Sequence, residues 1–581
     1  MIMIMTMTII IATATKNSRY TLEPVKIDPH ARVKILELMR CFIIICLLHP
    51  FLPGWAASSL HLRIDQLISA KAGGSVAVRS DDSEFFRRAN LDLNGHVPST
   101  SETRTFLKDA SPKKRSKLID QLLNNDAFAK HWTDRLSVML LERQNLGKVT
   151  DEEWQKFLVK ALKGKPLWDV LAREMVAAKG VGESRPAMKF LGTADHHKMT
   201  ENIARLFLGM DLKCAKCHDH PSVAEWKQSH YWGLFSYLNQ TKNATNSKDK
   251  QAYLVEGVAT KKVDYQSVFK TEKENTGPRL PGRKEVAIPT FEKGKEFEKP
   301  AADGLPGVPK FRPRELLARD LTSKDNTYFV RNGVNRIWYL MMGRGLAHPL
   351  DEVHGQNPPS HPKLMELLMR EFAAHDFDLK WLVREIALSE SYQRSSHLPK
   401  DVKDVNAESY RTAHPKAMTP EQLLRVVLKT TGNDAWVRAL VAPKDAEKFN
   451  RRGYFTGTNL EMPPSYEEVR ELWLLTYAEP SGTPEVDFLP GLNKALFLMN
   501  DRMIQDWLKP KKGNLVERLT KLKSPKDISE EMYLSMLSRM PHPEEIETVK
   551  EYLEENKNRR TEALGDLTWA LLTSTEFRLN H

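Results

Sequence analysis

Cysteine is scarce in this sequence. Four of its 581 residues are cysteine: Cys41, Cys46, Cys214 and Cys217. So few thiols exclude a disulfide framework of the kind that stabilises small secreted domains. A chain of this length, with 41% hydrophobic residues, can instead form roughly two to four packed domains. Stability is therefore expected from packing, and the cysteines need an explanation of their own.

The short motifs of hydrolytic and nucleotide-binding enzymes are also missing. The sequence has no Gly-x-Ser-x-Gly, no His-Glu-x-x-His, no Walker loop and no EF-hand loop. Scattered acids and histidines are the candidates left for catalysis: Asp92, Asp134, Asp351, His218, His220 and His361. The nearest approach to an arginine cluster is Arg336 with Arg344. Isolated acids in helical proteins are usually helix caps or ion-pair partners, so a hydrolase is the minority interpretation and no catalytic residue is assigned.

Charge of one sign is not concentrated anywhere. The formal net charge is +12 and the pI is about 9.2, which would suit an acidic partner or an anionic membrane face. Lys and Arg are nevertheless interleaved with Asp and Glu throughout, a pattern that favours an ordinary solvated surface. No recognition helix or RNA-binding motif is present, so we predict no nucleic-acid partner.

The N-terminal region is typical of export. Met39-Arg40 precedes an apolar run at residues 41–52, and small residues follow at 56–58. A positive start, a short apolar run and small residues are the parts of a secretory signal peptide, and the run is too short to span a bilayer comfortably. We predict a signal peptide at 39–56, cleaved after Ala56, with residues 1–38 a gene-model extension. An uncleaved signal anchor is the alternative. The expected location is the periplasm or the cell surface.

After cleavage the chain would hold two cysteines, in the sequence Cys214-Ala215-Lys216-Cys217-His218. Two thiols separated by two residues can form thioethers to one haem, with the adjacent histidine as proximal iron ligand. The motif therefore predicts a haem c site at Cys214, Cys217 and His218, with electron transfer to a redox partner protein. The second axial ligand stays open, and the neighbouring candidates are Met210, His220, His230, Met199, His196 and His197. An iron without a second protein ligand fits the motif equally well.

Three other interpretations of the motif compete. Cys214 and Cys217 could form a redox-active disulfide, although no thioredoxin-like strand-to-helix pattern surrounds them. They could bind zinc together with His218, His220 or His230, or remain plain thiols. The alternative function is then a non-haem structural or binding protein of the periplasm or cell surface, associated peripherally with that surface.

Apolar periodicity predicts a mainly α fold in several domains. Residues 118–123, 203–210, 364–372 and 379–386 carry apolar side chains at helical spacing, and Pro at the first helical position marks starts at residues 112, 420, 525 and 543. Residues 241–311 are rich in Lys, Glu, Gly and Pro and predict an irregular, partly β connector. It divides a segment at 60–240 from a helical segment at 312–581. The stretch 433–491 is mixed, and we expect it to be loop-like.

The first segment resembles the planctomycete cytochrome-type domain of unknown function. The resemblance begins with Arg87-Arg88 and the run from Leu91 to Ser99, and continues at residues 106–107, 122–123, 131–135, 207–209, 214–221 and 230–234. The second segment resembles the domain that usually accompanies it. There it is carried by residues 314–316, 326–329, 334–338, 343–346, 357–362, 378–380, 391–393, 419–423, 569–572 and 576–577.

Together the two resemblances cover most of residues 60–240 and 312–581. They imply an exported protein whose first domain is named for its cytochrome-like motif and not for an established activity. Many members of the family carry a further N-terminal cytochrome domain with its own attachment motif. This sequence holds a single Cys-x-x-Cys-His.

Overall fold

Helices make up most of the described chain, as the apolar periodicity predicts. The computed structural model describes residues 59–581, apart from residues 180–181, 193, 246–249, 303–305, 401, 441–448, 464 and 485–491. The predicted signal peptide at 39–56, the segment 1–38, and with them Cys41 and Cys46, lie outside the described residues. No helix in the described part is both long and apolar enough to cross a membrane.

The first segment consists of short helices whose starts follow local capping signals. Ser99 and Glu102, and likewise Thr150 and Glu153, form capping boxes in which each side chain accepts from the other residue's backbone N–H. The helices are α1 Leu60–Lys71, α2 Asp82–Asn94, α3 Thr100–Lys108, α4 Lys114–Leu123, α5 Asp126–Leu141, α6 Asp151–Lys163 and α7 Trp168–Val176, followed by a 3₁₀ helix at Gly182–Leu191.

The helix expected just before the cysteine motif is shorter than its apolar spacing suggests. Helix α8 covers His196–Ile203, a π turn follows at Ala204–Leu208, and a 3₁₀ turn covers Cys214–Lys216. Gly209 ends the helical run because it adopts a left-handed conformation with φ +70°. Helix α9, Gln228–Leu238, comes directly after the motif.

The connector is irregular and partly β, as its composition predicts. It contains three two-stranded antiparallel sheets, which pair β1 Thr241–Thr245 with β2 Ala252–Glu256, β3 Val263–Gln266 with β4 Lys273–Thr276, and β5 Phe297–Lys299 with β6 Val308–Pro309. The hairpin of β3 and β4 packs on α9, so it lies beside the cysteine motif.

Helices return after the connector. They are α10 Pro313–Leu321, α11 Thr327–Met342, α12 Pro362–Ala374, α13 Leu379–Leu388 and α14 Glu390–Gln393, with a 3₁₀ turn at Ala407–Ser409. The apolar faces predicted for α12 and α13 are confirmed: Leu364, Leu368 and Phe372 are buried, and so are Leu382 and Ile386.

The last part of the chain is helical up to its final residues. The helices are α15 Pro420–Thr431, α16 Asp434–Ala439, α17 Arg451–Thr456, α18 Tyr466–Tyr477, α19 Leu492–Asn500, α20 Arg502–Trp507, α21 Leu515–Thr520, α22 Pro525–Leu537, α23 Pro543–Glu555, α24 Arg560–Thr573 and α25 Thr575–Arg578, with a 3₁₀ turn at Lys557–Arg559. Strand β7, Lys416–Ala417, pairs with β8, Leu579–Asn580. The expectation of a loop-like stretch at 433–491 is wrong, because α16, α17 and α18 all lie within it.

Two hydrophobic cores lie among the described residues. The first contains residues from both sides of the connector, from Leu60 to Leu254 and from Leu280 to Tyr410. The second is built by residues from Met418 to Phe577, together with Leu91 and Val97. The chain therefore passes from the first core to the second between Tyr410 and Met418, whereas the division at 241–311 remains a prediction about sequence segments.

Candidate functional site

The cysteine motif is presented at the surface by its 3₁₀ turn. The backbone N–H groups of Cys217 and His218 both donate to the carbonyl of Cys214, at 3.2 and 3.4 Å. Side chains three residues apart in a 3₁₀ turn lie on the same face, so the two thiols project from one side. Both thiols are free and exposed, whereas Ala215 is fully buried and anchors the turn in the core.

Helix α9 and the β3–β4 hairpin hold the backbone of the motif. The carbonyl of Lys216 accepts from Trp232 Nε1 at 3.1 Å and from Gln228 Nε2 at 3.2 Å. The carbonyl of Cys217 accepts from the backbone N–H of Val268 at 3.0 Å. The turn is thus bonded to structure on both sides, and the cysteine side chains stay clear of these contacts.

The His218 ring makes a hydrogen bond that suits an iron ligand. Its Nδ1 lies 2.7 Å from the carbonyl oxygen of Asp219. A carbonyl oxygen only accepts hydrogen bonds, so Nδ1 is the donor here, and in the neutral ring the lone pair is then on Nε2. A hydrogen bond from Nδ1 to a carbonyl is the usual arrangement behind a histidine that binds metal through Nε2.

An exposed apolar patch adjoins His218. The Phe269 ring lies 5.1 Å from the His218 ring, centroid to centroid. The exposed fraction is 79% for Phe269 and 67% for Val268. Both residues sit at the tip of the β3–β4 hairpin, so the apolar surface and the motif belong to one face.

His220 and His230 have the opposite protonation. Nδ1 of His220 accepts from the backbone N–H groups of Val223 and Ser222, at 3.0 and 3.3 Å, and Nδ1 of His230 accepts from Lys227 N–H at 3.4 Å. Burial lowers the pKa of both histidines, which favours the neutral ring. Each neutral ring therefore carries its proton on Nε2, where a metal would have to bind.

The other candidate ligands are engaged elsewhere. Met210 and Met199 are almost fully buried in the first core, at 1% and 2% exposure. His196 Nε2 lies 2.7 Å from the carbonyl of Thr241, and His197 Nδ1 lies 2.6 Å from the Tyr231 hydroxyl. Within the described part of the chain, no three His, Cys, Asp or Glu side chains gather in an arrangement that could hold a metal ion.

The candidate carboxylates each have a charged partner. Asp92 pairs with Lys416 at 2.6 Å, and Asp134 pairs with Arg425 at 2.8 Å. Asp351 pairs with Arg205 at 3.1 Å and also with Arg336. His361 is buried, with Nδ1 3.2 Å from the Ser360 hydroxyl. These acids match the ion-pair role expected of them.

Sequence analysis named Asp351 and Arg336 separately but missed the charged cluster that joins them to Glu142 and Arg205. Glu142 lies 2.6 Å from Arg205 and so joins the pair of Arg205 with Asp351. Nothing in the local sequence marks Glu142, because its partners are distant along the chain. The Asp351 carbonyl accepts from the backbone N–H of Asp211, at 3.0 Å, so this cluster lies close to the segment that leads into the cysteine motif.

Comparison with known proteins gives two family matches. Residues 63–243 match the model of PSCyt2, described as a protein of unknown function (DUF1549), and residues 313–553 match that of PSD1, described as a protein of unknown function (DUF1553). Neither the curated proteins nor the solved structures gave a match. The two matches stand in the order expected of a protein of unknown function that carries a companion domain.

Proposed function

We propose that the protein is an exported c-type haem protein that transfers electrons outside the cytoplasm. Cys214 and Cys217 would attach the haem through thioethers, and His218 would be the iron ligand. One observation carries the proposal: two exposed, free thiols directly precede a histidine whose Nδ1 is hydrogen-bonded to a carbonyl oxygen, the arrangement that leaves Nε2 to bind a metal. A bound haem would supply one-electron redox chemistry at its iron.

The surface around the motif supports a large apolar ligand. A haem must be shielded from water on part of its surface. Covering exposed apolar side chains with a ligand lowers the free energy of the protein. Val268 and Phe269 are exposed beside His218 and are held there by the bond from Val268 N–H to the Cys217 carbonyl. In this proposal the tip of the β3–β4 hairpin becomes one wall of the haem site.

The name of the first matched family is consistent with this interpretation, since it refers to a cytochrome-like character. We assign the chain to the planctomycete cytochrome-type proteins on the residues that carry the resemblance. A redox partner protein then takes up or supplies the electron. The signal-like sequence at 39–56 supports a location in the periplasm or at the cell surface, where haem attachment of this type takes place.

The test is a pyridine haemochrome spectrum together with the intact mass of the protein. The full chain is exported by a bacterial host that has haem-maturation machinery. We expect a c-type haemochrome and a mass increase of one haem. Cys214→Ala and Cys217→Ala should each weaken covalent attachment, and the double variant should abolish it. Lys213→Ala is the matched control, since Lys213 is exposed and adjacent to the motif but supplies no bond to haem.

A colourless protein at the mass of the bare chain would overturn the proposal. Metal analysis and thiol counting would then separate the alternatives. One zinc per chain, lost together with Cys214 or Cys217, would indicate a metal site, and the absence of free thiols would indicate a disulfide. Either result would leave a structural or binding protein of the cell surface as the function.

A further inference from the structure

A second site does not include the cysteine motif. A cavity of about 460 Å³ opens between α5, α11 and β7, and neither cysteine nor His218 lines it. This volume falls in the range of sites that bind small organic molecules. Most of the wall is apolar, with these side chains among its members: Val138, Met139, Leu340, Leu350, Met418 and Leu423.

One end of the cavity is charged, and its charges are balanced. Arg205 and Arg336 line it together with Glu142 and Asp351. Arg205 lies 2.6 Å from Glu142 and 3.1 Å from Asp351, and Arg336 bonds to Asp351. All four residues have little exposure. Two cations and two anions leave this end neutral overall.

Arg135 adds a further positive charge to the wall of this cavity. It lines the cavity, donates to the Leu340 carbonyl at 2.5 Å and lies over the Trp132 ring at 5.7 Å. No ion pair joins Arg135 to a carboxylate among the residues that the structure describes, whereas Lys416 on the same wall is paired with Asp92 and Lys494 with Glu479. A guanidinium in a largely apolar cavity is stabilised by a ligand that brings an anion.

The backbone at the end of α5, which reaches the same cavity through Glu142, is held in a conformation that costs free energy. Glu142 and Arg143 follow α5, and both are left-handed, with φ of +47° and +56°. Consecutive non-glycine residues in this region persist only where the surroundings hold them, and such strain is concentrated at functional sites. Here the Glu142 carbonyl accepts from Gly482 N–H at 2.8 Å, and Arg143 binds both carboxylate oxygens of Glu421, at 2.5 and 3.0 Å.

We propose that this cavity binds a small organic anion with an apolar body, whose acidic group pairs with Arg135. The apolar wall takes the body of the ligand, and the neutral end of Arg205, Arg336, Glu142 and Asp351 offers polar contacts without repelling it. The proposal is independent of haem, since it concerns a cavity that the cysteine motif does not line.

The test measures ligand binding by the full exported chain at constant ionic strength. The probe is 4-phenylbutanoate, and the matched neutral probe is 4-phenylbutanamide. Acetate tests whether charge alone suffices. We expect 4-phenylbutanoate to raise the thermal midpoint and to bind in calorimetry, with the amide and acetate at least about tenfold weaker.

Variants then locate the binding. Arg135→Gln should weaken 4-phenylbutanoate by about tenfold or more, and Arg135→Lys, which keeps the charge, should weaken it less. Met139→Trp, which narrows the cavity and keeps the charge of Arg135, should also weaken it. Lys130→Gln, an exposed residue on the same helix, is the control and should bind as the unaltered chain does. Equal affinity for acid and amide, unchanged affinity in Arg135→Gln or no binding of 4-phenylbutanoate would each overturn the proposal.

Discussion

Lys416 donates from Nζ to both carboxylate oxygens of Asp92, at 2.7 and 2.6 Å, although the two residues are 324 positions apart. Asp92 also accepts from the Tyr392 hydroxyl and from Asn580 Nδ2, each at 2.7 Å. A carboxylate on α2 is thus surrounded by donors from the last third of the chain. The pair is buried, so each charge depends on its partner.

Removing one member of this pair should be costly. Lys416→Met leaves the Asp92 carboxylate buried without its cation, and we expect the free energy of unfolding to fall by about 3 kcal/mol. Urea unfolding followed by circular dichroism measures the change. The double variant Asp92→Asn with Lys416→Met removes both charges and should recover part of the loss. A Lys416→Met protein as stable as the unaltered chain would show that the pair contributes nothing.

His361 should make the protein sensitive to acid. Burial lowers its pKa to about 4 in the folded protein, compared with about 6.5 in the unfolded chain. Between these values the unfolded chain binds a proton that the folded protein does not, so stability is retained above pH 6.5 and is lost as the pH falls towards 4.

The measurement compares the pH dependence of unfolding in His361→Gln with that of the unaltered chain. Between about pH 7 and pH 4, the unaltered chain should lose about 3 kcal/mol more than the variant does. His397→Gln alters an exposed histidine and serves as the control. Parallel pH profiles for the unaltered chain and His361→Gln would contradict the assignment.

The protonation of three histidines predicts which of them binds iron in the proposed haem protein. His218→Gln should change the visible spectrum strongly. Of the three rings, His218 alone has its lone pair on Nε2 in the neutral form, and the substitution removes it. His220→Gln and His230→Gln should keep the spectrum of the unaltered holoprotein. Spectra of the oxidised and reduced forms test this. A spectrum that responds to His230→Gln and not to His218→Gln would reverse the assignment.

Gly95 is required at the end of α2 for two reasons. Its φ is +69°, and a Cβ atom there would overlap the buried His131 ring. Gly95→Ala should therefore lower the free energy of unfolding by about 3 kcal/mol, from conformational strain and steric overlap together. Gly457→Ala is the matched control, since Gly457 has φ +73° with open space around it, and it should cost about 1 kcal/mol. Equal losses in the two variants would exclude a steric contribution at Gly95.

Local signals predicted much of the helical structure. Pro420, Pro525 and Pro543 each stand at the first position of a helix, because proline there loses no hydrogen bond. Helix α4 begins at Lys114, two positions after Pro112. Helix α18 was missed although Ser465 caps it and Val469, Leu472 and Trp473 form its buried face. The mixed composition around it hid a regular pattern.

The candidate site likewise has parts that the local sequence predicts and parts that depend on residues distant along the chain. The cysteine motif is contiguous and could be found in the sequence. The charged cluster could not, because Arg336 donates to the Arg205 carbonyl across 131 positions. The sequence shows no obvious arginine cluster, with Arg336 and Arg344 as the nearest approach to one, and in the structure Arg344 pairs with Glu408. The position of the proton on each histidine ring could not be predicted either, since it depends on which backbone groups are hydrogen-bonded to the ring.

The first hydrophobic core draws residues from both sides of the connector, and this has a consequence for how such proteins can evolve. Each of the segments matched by the two family models contributes apolar side chains that the other segment covers. A recombination event at the connector would pair each wall with an unrelated surface and leave apolar area uncovered. Selection for solubility would then favour keeping the two segments together in one gene.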